Sequence, residues 1–308
     1  MKFVFFGTPQ LSVDILEHLR QNGLLPSLVV TNPDRPQGRN LEVTPPPVKV
    51  WAIANNIPYL QPENPSDPDF ILELRASSFE LFVVVAYGSI LPKELLAIPK
   101  HGSLNIHYSL LPKLRGASPI ESAILQDERD TGVSILLLDV EMDHGPVVTQ
   151  QKLELPSWPL SARELRTRSN ELGAKLLIET IPLWVEGKIE AKPQDHSKAT
   201  YTKKFIKADG EITLTDDPYK NFLKFQAFEG SIGTYFFYSP FPKGSSESAS
   251  RGISKSSDRA DAPTSFNKGG IRVIIKSAEY KDGKLNILRV VPEGKKEMDY
   301  EEFLRGVK

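Results

Sequence analysis

The sequence predicts a two-domain α/β protein, with a mostly parallel sheet covered by helices on both faces and then a smaller, mostly β domain. Three observations carry this. Apolar runs such as KFVFFG (2–7), LPSLVVT (25–31) and the strand at 81–86 within SFELFVVVAYGSILP have the unbroken hydrophobicity of strands buried on both faces. Stretches of helical period alternate with them. The chain's 308 residues also exceed the usual size of one domain, and its pattern changes beyond about residue 190.

Taken in order, residues 2–7 form the first strand and end at Gly7. Thr8 is placed to N-cap the next helix with Pro9 at its first position, and Leu11, Ile15, Leu16 and Leu19 give that helix one apolar face. Residues 25–31 return as a second strand, completing a β-α-β opening. The G-x-G-x-x-G fingerprint is missing from the first turn, which disfavours a dinucleotide. The proline-rich segment 32–47 reads as a long loop with Asp34, Arg35 and Arg39, and a loop of that length in a compact domain is functional or disordered. Helices are expected near 47–55 and 68–77, and a short one at 93–97. Residues 81–86 give a strand with a tight exit at Tyr87-Gly88. The stretch HGSLNIHYSLLPKLRGASP (101–119) gives another strand and a rigid loop, followed by a helix at 118–126. VSILLL (133–138) is a further strand that ends in the ionisable turn Asp139–Pro146, with VVTQQKL extended after it. Residues 160–186 carry a long helix with Leu165, Leu172, Leu176 and Ile181 near helical spacing.

The polar, aperiodic segment 190–206 reads as an interdomain linker, which divides the chain into 1–189 and 207–308. The second part has one helix near 217–228 with Phe222, Phe225 and Phe228 on its aromatic side. Strands are expected near 232–238, 271–279 and 285–291, as a small barrel or open sheet. Residues 243–270, rich in Ser and Gly, read as a mobile loop.

The totals exclude several classes. There is no cysteine, hence no disulfide, thiolate zinc site or cysteine nucleophile. Five scattered histidines do not suggest a metal cluster, so no metal is expected. G-x-S-x-G, H-E-x-x-H and Walker A sequences are lacking. MKFVFFGTP does not read as a signal peptide and no apolar run approaches the roughly 20 residues of a membrane span, so a cytoplasmic location is expected. Net charge is −1. From Lys203 onward there are 19 Lys+Arg against 15 Asp+Glu, a net of +4, so any polyanion is expected to be held partly by the back of the chain.

The chemistry is expected at the carboxyl ends of the strands. Asn105 and His107 alternate with Leu104 and Ile106, so a period of two puts the amide and the imidazole on one face. Such a pair suits the polarising of a carbonyl or the steadying of an oxyanion. Taken alone it also fits a core strand with two satisfied polar residues. Val85–Gly88, Asn105–Pro112 and Asp139–Gly145 should meet at this edge, and a carboxylate there would orient the imidazole. His144 reads as structural or peripheral.

LNIHYSLLPKLRGASPI closely resembles the signature of the 10-formyltetrahydrofolate-dependent formyltransferases, and TGVSILLLDVEMDHGP resembles the stretch bearing that family's aspartate. FFGTP, TNPDRPQGR, PPPVKVWA, VVVAYGSILP and VPEGKKEM are similar to the branch that acts on methionine-charged initiator tRNA. The resemblance implies a Rossmann-like catalytic domain and a C-terminal OB-like β-barrel that binds tRNA, in a monomeric enzyme with 10-formyltetrahydrofolate as co-substrate. It implies catalytic roles for Asn105, His107 and Asp143. Folate would lie against Val85, Ala86, Tyr87, Gly88, Asp139 and Val140, with Ser109, Leu110, Leu111 and Pro112 lining it. Arg39, Arg115, Lys203, Lys204 and Lys207 become candidate tRNA contacts. Three departures stand out. Tyr108 replaces a usual glycine, Asn40-Leu41-Glu42 replaces lysines after Gly38-Arg39, and Gln226–Gly230 replaces a Pro/Trp-rich turn. A formyltransferase acting on a small amine, such as an amino sugar nucleotide, and a non-catalytic RNA-binding protein are the alternatives.

Overall fold

The computed structural model describes residues 1–37, 41–239 and 270–307, so Arg39 and all of the 243–270 segment except Gly270 lie outside the described residues. The chain divides into two compact units, Met1–Lys204 and Phe205–Lys308. In chain order the first unit runs β1 (Phe3–Gly7), α1 (Gln10–Gln21), β2 (Leu28–Val30), β3 (Arg35–Gln37), β4 (Glu42–Thr44), α2 (Pro47–Ala54), β5 (Tyr59–Leu60), α3 (Pro68–Ala76) and β6 (Leu81–Val85). It continues α4 (Lys93–Leu96), β7 (Ser103–His107), β8 (Arg115–Gly116), α5 (Pro119–Leu125), β9 (Gly132–Leu137), β10 (Val147–Lys152), α6 (Ala162–Val185) and β11 (Tyr201–Thr202).

Seven strands form the central sheet in the order β10-β9-β7-β6-β1-β2-β5. The β1, β2, β5, β6 and β7 strands are parallel, and every residue of β1 and β6 is buried, as continuous apolar runs require. One face packs Val4, Phe6, Phe82 and Val84 against Phe70, Ile71 and Leu74 of α3. On β7, Ile106 faces α6, where Gly173 lets it approach: a Cβ on that glycine would stand 3.1 Å from the Ile106 side chain. Asn105 and His107 therefore turn away from α6, as the period of two requires.

Three expectations are corrected. Thr8 does not cap α1: Pro9 occupies the cap position with no side-chain bond, and the Thr8 hydroxyl donates instead to the Tyr87 carbonyl, 2.8 Å away. The β9 strand runs antiparallel to β7, with Leu104 opposite Leu137 and His107 opposite Ser134. Its carboxyl end thus lies beside the start of β7, where the Leu138 amide donates to the Ser103 carbonyl at 2.8 Å. The turn after it must travel back along β7 to reach His107. Finally, the expected linker is built into the first unit as far as Lys204. Lys192 exchanges two backbone hydrogen bonds with Val147, Gln194 is buried, and β11 pairs with β8. The segment is tied to the unit by its backbone pairing and by the buried Gln194, while Asp195, Ser197 and Lys198 remain exposed.

The second unit comprises α7 (Pro218–Phe228), β12 (Thr234–Tyr238), β13 (Ile271–Lys281), β14 (Lys284–Pro292), β15 (Met298–Asp299) and α8 (Tyr300–Gly306). Its strands form an antiparallel sheet in that order, over a core of Phe236, Val273, Ile275, Val290 and Phe303. Asp217 caps α7 by accepting from the amides of Tyr219 and Lys220 at 2.8 and 3.3 Å. Among the described residues, no helix is long and apolar enough to cross a membrane.

Candidate active site

A cavity of about 490 Å³ opens at the carboxyl ends of β6 and β7. Its wall includes Ala86, Tyr87 and Gly88 after β6, Asn105 and His107 on β7, Gly116 beyond it, and Asp139–Asp143 of the returning turn. The β6 exit is sharply bent, with Ala86 at φ 47° and Gly88 at φ 89°. The Tyr87 carbonyl is held there by the Thr8 hydroxyl and by the Asn32 amide at 2.9 Å. The Tyr87 phenol is buried in the core without a hydrogen-bond partner among the described residues, and burial pushes its pKa up to about 12. It is a neutral packing group at physiological pH.

His107 is buried and its Nε2–H donates to the Leu114 carbonyl at 2.9 Å. A carbonyl only accepts, which fixes the proton on that nitrogen. The other nitrogen, Nδ1, stands 3.4 Å from Oδ2 of Asp143. Both ring nitrogens thus face acceptors. The same Asp143 oxygen accepts the Gly116 amide at 2.7 Å. Gly116 has φ 110°, and a Cβ there would meet the Thr202 carbonyl at 2.8 Å, so only glycine presents its amide in this way. The Asn105 side-chain amide makes no hydrogen bond among the described residues. It faces the cavity beside His107 as a free donor and acceptor.

The turn itself is tightly built. Asp143 adopts φ 50°, and a Cβ on Gly145 would fall 1.9 Å from the Leu137 carbonyl oxygen. His144 donates to Asp139 at 2.6 Å and stacks on His196, with ring centroids 4.1 Å apart and planes 5° from parallel. His144 is therefore structural, as its sequence context suggested.

The structure brings Asn105, His107 and Asp143 together, and puts Ala86, Tyr87, Gly88, Asp139 and Val140 on the same cavity wall. It does not bring Val85 or Ser109–Pro112 there. The Val85 carbonyl accepts the Ser12 hydroxyl at 2.7 Å, and Ser109 is fully buried, with its hydroxyl donating to the Lys113 carbonyl at 2.6 Å. Leu111 and Gln150 close on Ser134 behind this loop, and the Leu110 side chain packs against Gly132. The Pro112 carbonyl is taken by the Thr200 amide at 3.3 Å. The 109–112 loop supports the site from outside the cavity.

Arg115 is corrected as well. It is 1% exposed, and its guanidinium donates to Gln194 Oε1 at 3.1 and 2.7 Å and to His196 Nδ1 at 2.9 Å, so it cannot reach an RNA phosphate. Lys203, Lys204 and Lys207 are exposed. Gln194 and His196 were missed in the sequence, where KPQDHSKAT reads only as polar linker. Tyr108 contributes to the cavity lining, but its hydroxyl is engaged elsewhere: it donates to Asn170 at 2.7 Å, and Asn170 in turn donates to the Leu11 carbonyl at 3.1 Å.

Comparison with known proteins places this geometry in context. Residues 1–181 match the family described as "Formyl transferase". The chain is 47% identical over 212 residues to a methionyl-tRNA formyltransferase of Chloroflexus aurantiacus, covering 69% of this chain and 68% of that one. It is 37% identical to one from Thermodesulfovibrio yellowstonii, covering 99% of this chain and 96% of the relative. Among solved structures, the methionyl-tRNA formyltransferase from Clostridium thermocellum aligns over 95% of this chain and 98% of its own, with a TM-score of 0.59 at 16% identity. A sugar N-formyltransferase from Shewanella aligns over 77% of this chain and 93% of its own, with the same TM-score of 0.59 at 17% identity. The fold is thus shared by enzymes of both acceptor types and does not by itself choose between them.

Proposed function

The chain belongs to the methionyl-tRNA formyltransferase family, and we propose that it uses Asn105, His107 and Asp143 to move the formyl group of 10-formyltetrahydrofolate onto the α-amine of methionine carried by initiator tRNA. The observation that carries this reading is the unpartnered Asn105 amide beside a His107 imidazole that Asp143 faces, all on one cavity wall. The amine nitrogen attacks the formyl carbon. The carbonyl oxygen becomes an oxyanion, which the Asn105 amide and the protonated imidazole stabilise. Collapse breaks the bond to N10 of the folate, and the proton lost by the amine is delivered to N10. Asp143 holds the imidazole charge and, through water, assists removal of the amine proton.

Backbone groups of Ala86–Gly88 and of Asp139–Val140 bind the folate ring, in a cavity of the size usual for a small-molecule site. Arg39 and the exposed lysines Lys203, Lys204 and Lys207 contact tRNA phosphates. We read the second unit as an OB-like tRNA-binding domain, and the enzyme as a cytoplasmic monomer serving translation initiation.

The test is a formylation assay with 10-formyltetrahydrofolate and methionine-charged initiator tRNA, read by mass spectrometry. Formyl-methionine on the tRNA with the parent enzyme, and none with His107→Ala, is the expected result. Folate binding without product would overturn the acceptor and redirect the search to amino sugars.

A further inference from the structure

The cluster behind the Asp143 turn, in which Arg115 and Gln194 are buried, is used by no step above. Gln194, 8% exposed, spends both ends of its amide there. Its Nε2 donates to the backbone carbonyls of Asp143 and Gly145, at 2.8 and 2.7 Å. Its Oε1 accepts twice from Arg115, at 3.1 and 2.7 Å. Arg115 is itself fixed by His196, which stacks on His144 of the same turn. Gln194 thus grips the turn on both sides of His144 and ties it to β8, the strand whose Gly116 amide binds the Asp143 carboxylate.

This grip has a purpose. The turn arrives from the far end of β7 and passes through a left-handed Asp143, a conformation that aspartate tolerates but that is less favourable than the extended or helical one for a residue with a Cβ. The two carbonyls flanking the bend are the atoms that would rotate if Asp143 relaxed. We infer that Gln194 is the positioning residue of the reaction, holding Asp143 against His107 from a segment that looks like a linker. The inference rests on the proposed catalytic role of Asp143.

Gln194→Glu tests it nearly isosterically. The carboxylate still accepts from Arg115 but no longer donates to the two carbonyls. The expected result is kcat lower by about 10- to 100-fold, the scale of a small misplacement of a catalytic group, with the KM for tRNA kept. In an Asp143→Asn background the same substitution should cost nothing further, because the residue acts only through the lost carboxylate. The Gly116 amide resonance, followed by NMR in the substrate-free protein, should move towards its position in Asp143→Asn. That last reading needs no acceptor, so it judges the inference even if the parent enzyme fails to formylate tRNA, an outcome that would count against the proposed function instead. Gln194→Asn, which retracts both amide ends, serves if the first variant does not fold. A normal kcat, multiplicative losses in the double variant, or an unmoved Gly116 amide would each overturn the inference.

Discussion

Asp143→Asn is the substitution that weighs most on the proposed chemistry. The variant is chosen for the backbone: asparagine tolerates the left-handed φ of 50° and keeps an oxygen to accept the Gly116 amide, so the turn survives and only the charge is removed. The carboxylate lies 3.4 Å from His107 Nδ1, with side chains 12% and 6% exposed. At an effective dielectric of about 20, two unit charges at that separation attract by about 5 kcal/mol. Part of this is present before the reaction begins and does not accelerate it. If about 3 kcal/mol is realised only as the imidazolium holds the oxyanion, kcat falls by about two orders of magnitude. The assay is single-turnover formylation of methionine-charged initiator tRNA at saturating folate, with folding checked by circular dichroism. A folded Asp143→Asn protein with near-normal kcat would refute the role given to that carboxylate, whatever the identity of the acceptor.

Tyr108→Phe leaves the buried Asn170 oxygen without its donor and should destabilise the first unit by about 1–3 kcal/mol in denaturant melts while kcat is kept; a fall in kcat without loss of stability would mean that Tyr108 reaches the substrate. Reversing Lys203, Lys204 and Lys207 to Glu should weaken tRNA binding and flatten its dependence on salt, by about one unit of slope per lost phosphate contact, with folate KM unchanged; an unaltered slope would remove them from the RNA surface. Glu17 gives a pH signature. Hydrogen bonds from Arg20 and Trp51 hold its pKa down to about 2 from the ordinary 4.5. A depressed carboxyl stabilises the fold fully above its unfolded value, and this contribution fades as pH falls from about 4.5 through about 2. Glu17→Gln should therefore lower stability at neutral pH, flatten its fall across that window and make no difference below it, and Trp51 fluorescence reports the transition.

What the sequence disclosed and what it hid differ in kind. The strand carrying Asn105 and His107 was legible because periodicity is a local property: apolar Leu104 and Ile106 declare which face is core, and the polar pair must take the other. The helices α2, α3, α5 and α6 stand near the positions expected for them; α2, α3 and α5 begin with a proline in the first turn and α6 is capped by Ser161. Asp143 was reached through resemblance alone, because its approach to His107 depends on β9 running antiparallel, and an apolar run such as VSILLL has no direction written in it.

Arg115 and Gln194 were misread for a deeper reason. A polar residue in an aperiodic stretch is either solvated or buried with every hydrogen bond satisfied, and composition is the same in both cases. Only the partner distinguishes them, and here the partners lie roughly eighty residues apart in the chain. The burial of Arg115 is possible because Gln194 and His196 together receive its donors, while Gln194 is itself satisfied only because the turn offers two free carbonyls. Each member would be costly to bury without the next, so the cluster holds as a unit or not at all. That is the property required of a scaffold that must keep one carboxylate in a strained backbone conformation beside an imidazole. An apolar core of equal volume would fill the space but would offer the turn's carbonyls nothing to bind.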